Sequence, residues 1–357
     1  MQEPALPYLR HGQIPWFRLP TAREPTAGVD VAVLGVPHDG GTTYAPGARF
    51  APYHVRRVSA LVQGHHAGHG VDVFSALRCV DAGNVVFPPF DRAAVEAEVA
   101  AWAAVGAAPV TIGGDHSISY PILRALARRH GPLAIVHVDA HLDVSGPDAW
   151  GDAYHHGTPL RHAITEGLVA DGQLYQLGVR GPRGGADDDA LVRAHGHTTW
   201  SADDVAERGA RAVTAELRAR IGARPVYVTI DVDAIDPAYA PGTGTPVPGG
   251  LSAREALALV RGLAGLAICG GDVVEVCPAL DHADVTAHLA AHLAWELLAA
   301  LAVRRASPRS ADVDRWQGPD LDASAAGRGE VGVAAAAGVG GGDREHDHGQ
   351  LAGGAQR

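Results

Sequence analysis

Runs of consecutive apolar residues alternate along this chain with longer Ala-, Leu- and Arg-rich stretches. Val29–Val36, Arg78–Val80, Pro109–Ile112, Leu133–Val138, Gln173–Leu177, Pro225–Ile230 and Asp272–Val276 read as strands. Pro52–Val62, Arg92–Val105, Ile118–Arg129, Pro159–Glu166, Ala212–Ile221, Ala253–Gly262 and Val285–Arg304 read as helices. Leu-Ala-Ile-Val-His-Val and Val-Tyr-Val-Thr-Ile hold almost no polar position, as expected of strands buried on both faces. Strand–helix alternation of this kind predicts one parallel sheet covered by helices on both sides. Near Ser307 the pattern ends. Gly, Ala, Asp and Arg dominate from there, and such a stretch cannot bury enough surface to offset the entropy of ordering it. We therefore expect a folded domain over residues 1–306 and a disordered Gly/Ala-rich tail over 307–357, with Glu345-His-Asp-His as a minor metal-binding candidate in that tail.

Composition narrows the chemistry. All 29 basic residues are Arg, and the chain carries 20 His, 40 Asp and Glu and a net charge of −11. The absence of Lys excludes a Lys Schiff base and a phosphate loop ending in Gly-Lys-Ser/Thr. The acidic balance speaks against nucleic acid, whose backbone demands a basic face. Cys79, Cys269 and Cys277 have no paired spacing, which suits a reducing, cytoplasmic setting. Met1 to Pro20 has no apolar core of a signal peptide, and no run approaches the about 20 apolar residues of a membrane span.

Three segments carry the candidate chemistry: Gly113-Gly-Asp-His-Ser117, Asp139-Ala-His-Leu-Asp143 and Asp231-Val-Asp-Ala-Ile-Asp-Pro237. Each directly follows an apolar strand, where ligand sites of open α/β sheets lie. In Asp139-x-His141-x-Asp143 and Asp231-x-Asp233 the ligand-type residues share one side of an extended backbone. Carboxylates packed this way repel and take up protons unless cations neutralise them. Imidazole and carboxylate donors without thiolate favour two divalent ions, Mn²⁺ first, with Co, Ni, Fe or Zn compatible. A fourth segment, Asp272-Val-Val-Glu-Val-Cys277, places Glu275 inside an apolar strand, where an unpaired carboxylate is costly.

These motifs, with Ala240-Pro-Gly-Thr-Gly-Thr-Pro246, resemble those of the ureohydrolase (arginase/agmatinase) family over about residues 12–304. The resemblance implies a three-layer α/β/α sandwich. It implies that His116, Asp139, Asp143 and Asp231 hold one Mn²⁺ and that Asp139, His141, Asp231 and Asp233 hold the other, with Asp139 and Asp231 bridging. It further implies hydrolysis of a guanidino group to urea and an amine by a water held between the metals. Glu275 then pairs with the guanidinium, His156 shuttles the proton, Thr245 lies by the substrate, and Asp236 braces its loop. Such proteins are homo-oligomers, trimers or hexamers. A non-catalytic paralogue and a single-zinc deacetylase are the competing readings, and the complete six-residue ligand set speaks against both.

The loop Val144-Ser-Gly-Pro-Asp-Ala-Trp-Gly-Asp-Ala-Tyr154 has no Asn of the kind arginases use to hold the amino-acid end of arginine. Thr42 to Phe50, His156-Gly-Thr-Pro-Leu-Arg161 and Leu177-Gly-Val-Arg-Gly181 are similar to the agmatinase, guanidinobutyrase and proclavaminate amidinohydrolase branch, with Leu160 where Phe is common. Agmatine, a guanidino acid or a secondary-metabolite guanidine are the candidate substrates. A carboxylate tail calls for Arg161, Arg180 or Arg183; an amine tail calls for Asp148, Asp152 or Glu166; Trp150 is a candidate for the pocket mouth. The His-rich Gly64–Gly70 is a candidate rim loop or third ion site.

Overall fold

The chain is described here from a computed structural model covering residues 14–85, 91–146, 148–183 and 186–306. The expected tail from 307 and its Glu345-His-Asp-His lie outside the described residues. Eight parallel strands form the central sheet: β1 Val31–Val36, β2 Cys79–Asn84, β3 Ala108–Gly113, β4 Leu133–Val138, β5 Val169–Val179, β6 Thr198–Ser201, β7 Pro225–Asp231 and β8 Ala267–Val274. Their order is β2-β1-β3-β8-β7-β4-β5-β6. The four strands that precede the chemistry-bearing segments, β3, β8, β7 and β4, are thus adjacent at the centre of the sheet.

Side-chain alternation splits the apolar strand residues between two cores. On one face Val31, Val110, Val136 and Val228 pack with α1 (Ala51–Ser59), α7 (Ala210–Ile221), α8 (Ala253–Arg261) and α9 (Val285–Ala306). On the other, Leu34, Ile135, Leu174 and Tyr227 pack with α2 (Arg92–Ala104), α3 (Ser119–His130), α4 (Pro159–Thr165) and α5 (Ala186–Ala194). The short helix α6 (Ala202–Arg208) follows β6 and opens on a capping box between Ser201 and Asp204. This is the expected α/β/α sandwich.

Helix α9 is long and apolar enough to cross a membrane, with a mean hydropathy of 1.4 in its richest window, but 78% of that window is buried inside the fold. Its one buried acid, Glu296, is neutralised by Arg261 from α8 and contacts His66 at 2.9 Å. That contact, with His66 stacked on Trp295, sets the His-rich loop against α9 rather than at the rim of the site. His66, His69 and Glu296 are close enough to share an ion. Arg261 already supplies the positive charge there, however, and His66 Nδ1 accepts the His69 backbone N–H at 3.0 Å.

The turn after β3 shows why its glycines are required. A Cβ at Gly114 would collide with the His38 carbonyl oxygen. The loop after β1 therefore lies directly on Gly113-Gly-Asp-His-Ser117, and Asp115 Oδ2 accepts the Gly41 N–H at 2.7 Å.

Candidate metal centre

His116, Asp139, His141, Asp143, Asp231 and Asp233 converge at the carboxyl ends of β3, β4 and β7, and all but His141 are buried. His116 Nδ1 lies 2.9 Å from Asp143, 3.0 Å from Asp139 and 3.3 Å from Asp231 carboxylate oxygens. Despite that crowd the Nδ1 atom makes no well-directed hydrogen bond, and His116, Asp139 and Asp143 lie close enough together to share an ion. His141 Nδ1 lies 3.0 Å from Asp233 and 3.3 Å from Asp139. Asp139 joins the two groups, one oxygen facing His116 and the other His141. Asp231 turns Oδ2 to His116, while its Oδ1 accepts the Asp233 N–H at 2.8 Å.

The electrostatics fit divalent cations. Burial, reinforced by Asp233 and Asp139, raises the Asp231 carboxyl well above its ordinary range. Burial and Asp139 raise Asp233 as well. Asp139 moves the other way: burial opposes its ionisation, but His137, His116 and His141 together hold it well below the usual range. Burial disfavours charge on His116, yet Asp143, Asp139 and Asp231 outweigh it and raise the imidazole well above its usual value. His141 is pushed up to about 12 against its burial, by Asp233 and Asp139. The cluster therefore draws positive charge onto its imidazoles, the role that bound metal ions would take over. Nitrogen and oxygen donors of this kind fit Mn²⁺ and its neighbours in the first transition row.

Outer contacts that sequence reasoning did not identify orient these ligands. Thr229, the one threonine in the largely apolar strand β7, meets His116 Nε2 at 2.8 Å. His137, inside β4, contacts Asp139 at 2.8 Å through Nε2. The Gln176 amide is fixed in orientation, donating to the Leu142 carbonyl at 2.7 Å and accepting from Thr199. It therefore donates to His137 Nδ1 at 3.1 Å, which leaves the proton on Nε2 pointing at Asp139. His137 is close enough to the first group to be a ligand itself, but that proton makes it a support for Asp139. The available signal for Thr229 and His137 was a polar residue inside a largely apolar strand; Gln176 stands in a strand that also carries Asp171 and Gln173, where a further polar residue marks nothing.

Glu275 follows β8 in a left-handed backbone conformation, φ 65°, and Asp143 adopts φ 53°. Two non-glycine residues held this way at one site mark backbone strain where side chains must be aimed. The expected strand over Asp272–Val276 is thereby corrected: β8 starts at Ala267 and stops before Glu275. Glu275 Oε1 accepts the His116 backbone N–H and contacts His156 Nδ1, each at 2.9 Å. His156 Nε2 meets the Thr43 hydroxyl at 2.7 Å, so the ring is clamped between two partners. Burial disfavours its charge, but Glu275 raises His156 to about 9.

His156 and Thr43, with His141, Asp143, Asp231 and Asp233, line a cavity of about 180 Å³ that also meets Thr245 and Trp150; Glu275 is not among its lining residues and reaches it through its contact with His156. Trp150 is 65% exposed at its mouth. Thr245 approaches Asp233 at 3.4 Å. Asp236 lies outside the ligand cluster and braces its turn by accepting N–H groups of Ala238 and Gly249. Of the tail-recognition candidates, Arg180 is excluded by its bonds to the carbonyls of Gly178, Asp233, Ala234 and Val247. Glu166 binds Tyr120, and Asp152 caps its own turn at Tyr154. Asp148 is exposed and does not line the cavity.

Residues 29–300 match the arginase family. The proclavaminate amidinohydrolase of Streptomyces clavuligerus is 45% identical over 294 residues, which is 81% of this chain and 93% of that protein. The guanidinopropionase of Pseudomonas aeruginosa is 42% identical over 298 residues, 82% of this chain and 93% of that protein. The solved structure of proclavaminate amidinohydrolase superimposes with a TM-score of 0.77 at 44% identity, covering 84% of this chain and 99% of the other.

Proposed function

The chain belongs to the arginase family, as an amidinohydrolase of guanidino compounds, and from that premise we propose that it uses two Mn²⁺ ions to release urea and an amine from agmatine or a related guanidino compound. The observation that carries this reading is the shared Asp139, which stands between a His116/Asp143/Asp231 group and a His141/Asp233 group beside the Glu275–His156 pair.

When bound, the ions supply a water of lowered pKa and a local positive potential at the reacting centre. His116, Asp139, Asp143 and Asp231 would hold one, and Asp139, His141, Asp231 and Asp233 would hold the other. The chain's own groups do the rest. Glu275, buried and fixed by the His116 N–H, presents a carboxylate to the planar guanidinium, whose N–H groups it orients by paired, charge-assisted bonds. A substrate guanidinium competes for the same carboxylate that contacts His156 Nδ1. His156, freed from that contact, delivers a proton to the departing amine nitrogen. Thr245 and Trp150 bound the space the substrate enters.

Phe50, Tyr53, Leu280 and Val285 are exposed large apolar side chains near the α1–α9 contact, where His54 and Arg57 reach Asp284. They support a homo-oligomer, trimer or hexamer, that covers them. The three cysteines are all unpaired, which supports a reducing, cytoplasmic location. The test is urea release by the Mn²⁺-loaded protein from agmatine, guanidino acids and bulkier natural-product guanidines, with and without EDTA. Urea from at least one, abolished by EDTA, is expected; no urea from any overturns the reading.

A further inference from the structure

The cavity has a second wall, built by the loops after β4 and β5, that the chemistry above leaves unused. Apart from the metal-ligating cluster and His156, its ionisable lining is His155, Arg180, Arg183 and Asp188. Arg180 is committed to backbone carbonyls. Asp188 pairs with Arg161 at 3.2 Å, and Arg161 is also tied to the Val144 carbonyl at 2.6 Å. An ammonium that took Asp188 would strand the half-buried Arg161 guanidinium without a counter-ion.

Arg183 is placed differently. Its partner is Asp189, both are about a third exposed, and Asp189 does not line the cavity. Asp189 sits in the first turn of α5, where free N–H groups and the helix dipole stabilise an acid that has lost its partner. Exchanging that solvent-screened pair for a ligand carboxylate costs little. His155, which lines the same cavity, adds a second donor. The residue is buried, and its Nδ1 accepts the Gly157 N–H at 3.1 Å, which puts the neutral ring's proton on Nε2. That Nε2 has no acceptor among the described residues. Its burial, with His156 nearby, lowers its tendency to protonate.

We propose that Arg183 is the anchor for a carboxylate at the far end of the substrate, so that the preferred substrate is a linear guanidino acid rather than a guanidino amine. This rests on the amidinohydrolase reading and names the substrate class of that site. Arg183 is a specificity residue; it takes no part in bond cleavage.

The experiment compares kcat and KM of the metal-loaded full chain for 4-guanidinobutyrate and agmatine, which share the guanidinium and differ in tail charge, with shorter and longer homologues of each. The wild type is expected to favour the acid by about tenfold or more in kcat/KM, the size of one charge-assisted contact. Arg183→Ala is expected to raise KM for the acid about 10–100-fold with little change in kcat, and to leave agmatine unaffected. Arg183→Glu should move the preference toward agmatine. A thermal shift on adding 4-guanidinobutyrate should be present in the wild type and lost in Arg183→Ala. A wild type that prefers agmatine, or equal losses on both substrates, overturns the anchor alone. Urea from neither series overturns the amidinohydrolase reading and the anchor with it.

Discussion

Thr229→Val removes one hydroxyl from β7 and keeps the volume and the β-branched shape of the side chain. In the native site His116 Nδ1 faces three carboxylates, so a metal there requires the proton on Nε2, 2.8 Å from the Thr229 oxygen. Both residues are buried, so water cannot replace the lost acceptor without a cavity. The orphaned N–H then costs about 1–3 kcal/mol, and the ring loses the contact that fixes its orientation. Loss of such an outer contact weakens metal binding about 10–100-fold, or about 1.4–2.7 kcal/mol. Asp233 and His141 are untouched, so only one of the two sites should weaken. Calorimetric titration of Mn²⁺ into chelator-treated protein resolves this: two comparable sites in the wild type, one normal and one weakened site in Thr229→Val, and recovery in Thr229→Ser. Two unaltered sites in the Val variant would refute the assignment of His116 as a ligand oriented through β7.

Three further outcomes follow from the same geometry. Asp139→Asn should lose both ions, since Asp139 faces both His116 and His141, whereas Asp233→Asn should retain one; metal analysis of the purified variants distinguishes them. Glu275→Gln should keep both ions and the His116 N–H contact but lose the charge that faces the guanidinium, lowering kcat/KM about 10–150-fold. Burial lowers His197 to about 4 from 6.5. The unfolded chain therefore binds more protons between those values, and the stabilisation, complete above pH 6.5, is lost as pH falls toward 4. Urea midpoints measured across that window should decline in the wild type and decline less in His197→Gln.

The site was legible because its residues break the apolar pattern at the place where it should break. Asp139 and Asp231 terminate runs of buried strand residues, and β4 has the bounds its pattern predicts, Leu133–Val138. The strand β8 was misjudged at both ends. Gly270 and Gly271 interrupt its apolar run and hide five of its eight residues. Their role is packing: a Cβ at Gly271 would meet Leu297 of α9 at 2.7 Å, and one at Gly270 would meet Leu126 of α3 at 2.9 Å. The strand β6 and the helices α5 and α6 were missed. They are short, and Thr198–Ser201 lies at the sheet edge, where burial imposes little pattern. The orienting residues Thr229, His137 and Gln176 carry no spacing signal at all, because their function depends on neighbours in the sheet rather than in the chain. Arg180 shows the reverse case, a charge that reads as substrate recognition and serves instead to gather backbone carbonyls.

The central claim is that both ligand groups must be filled for guanidine hydrolysis. Stepwise addition of Mn²⁺ to chelator-treated protein, with urea release followed at each step on a guanidine the protein accepts, tests it directly. The account predicts no appreciable urea without metal and full activity only as the second ion per chain is bound. Full activity in the metal-free protein, or at a single ion per chain, would contradict it.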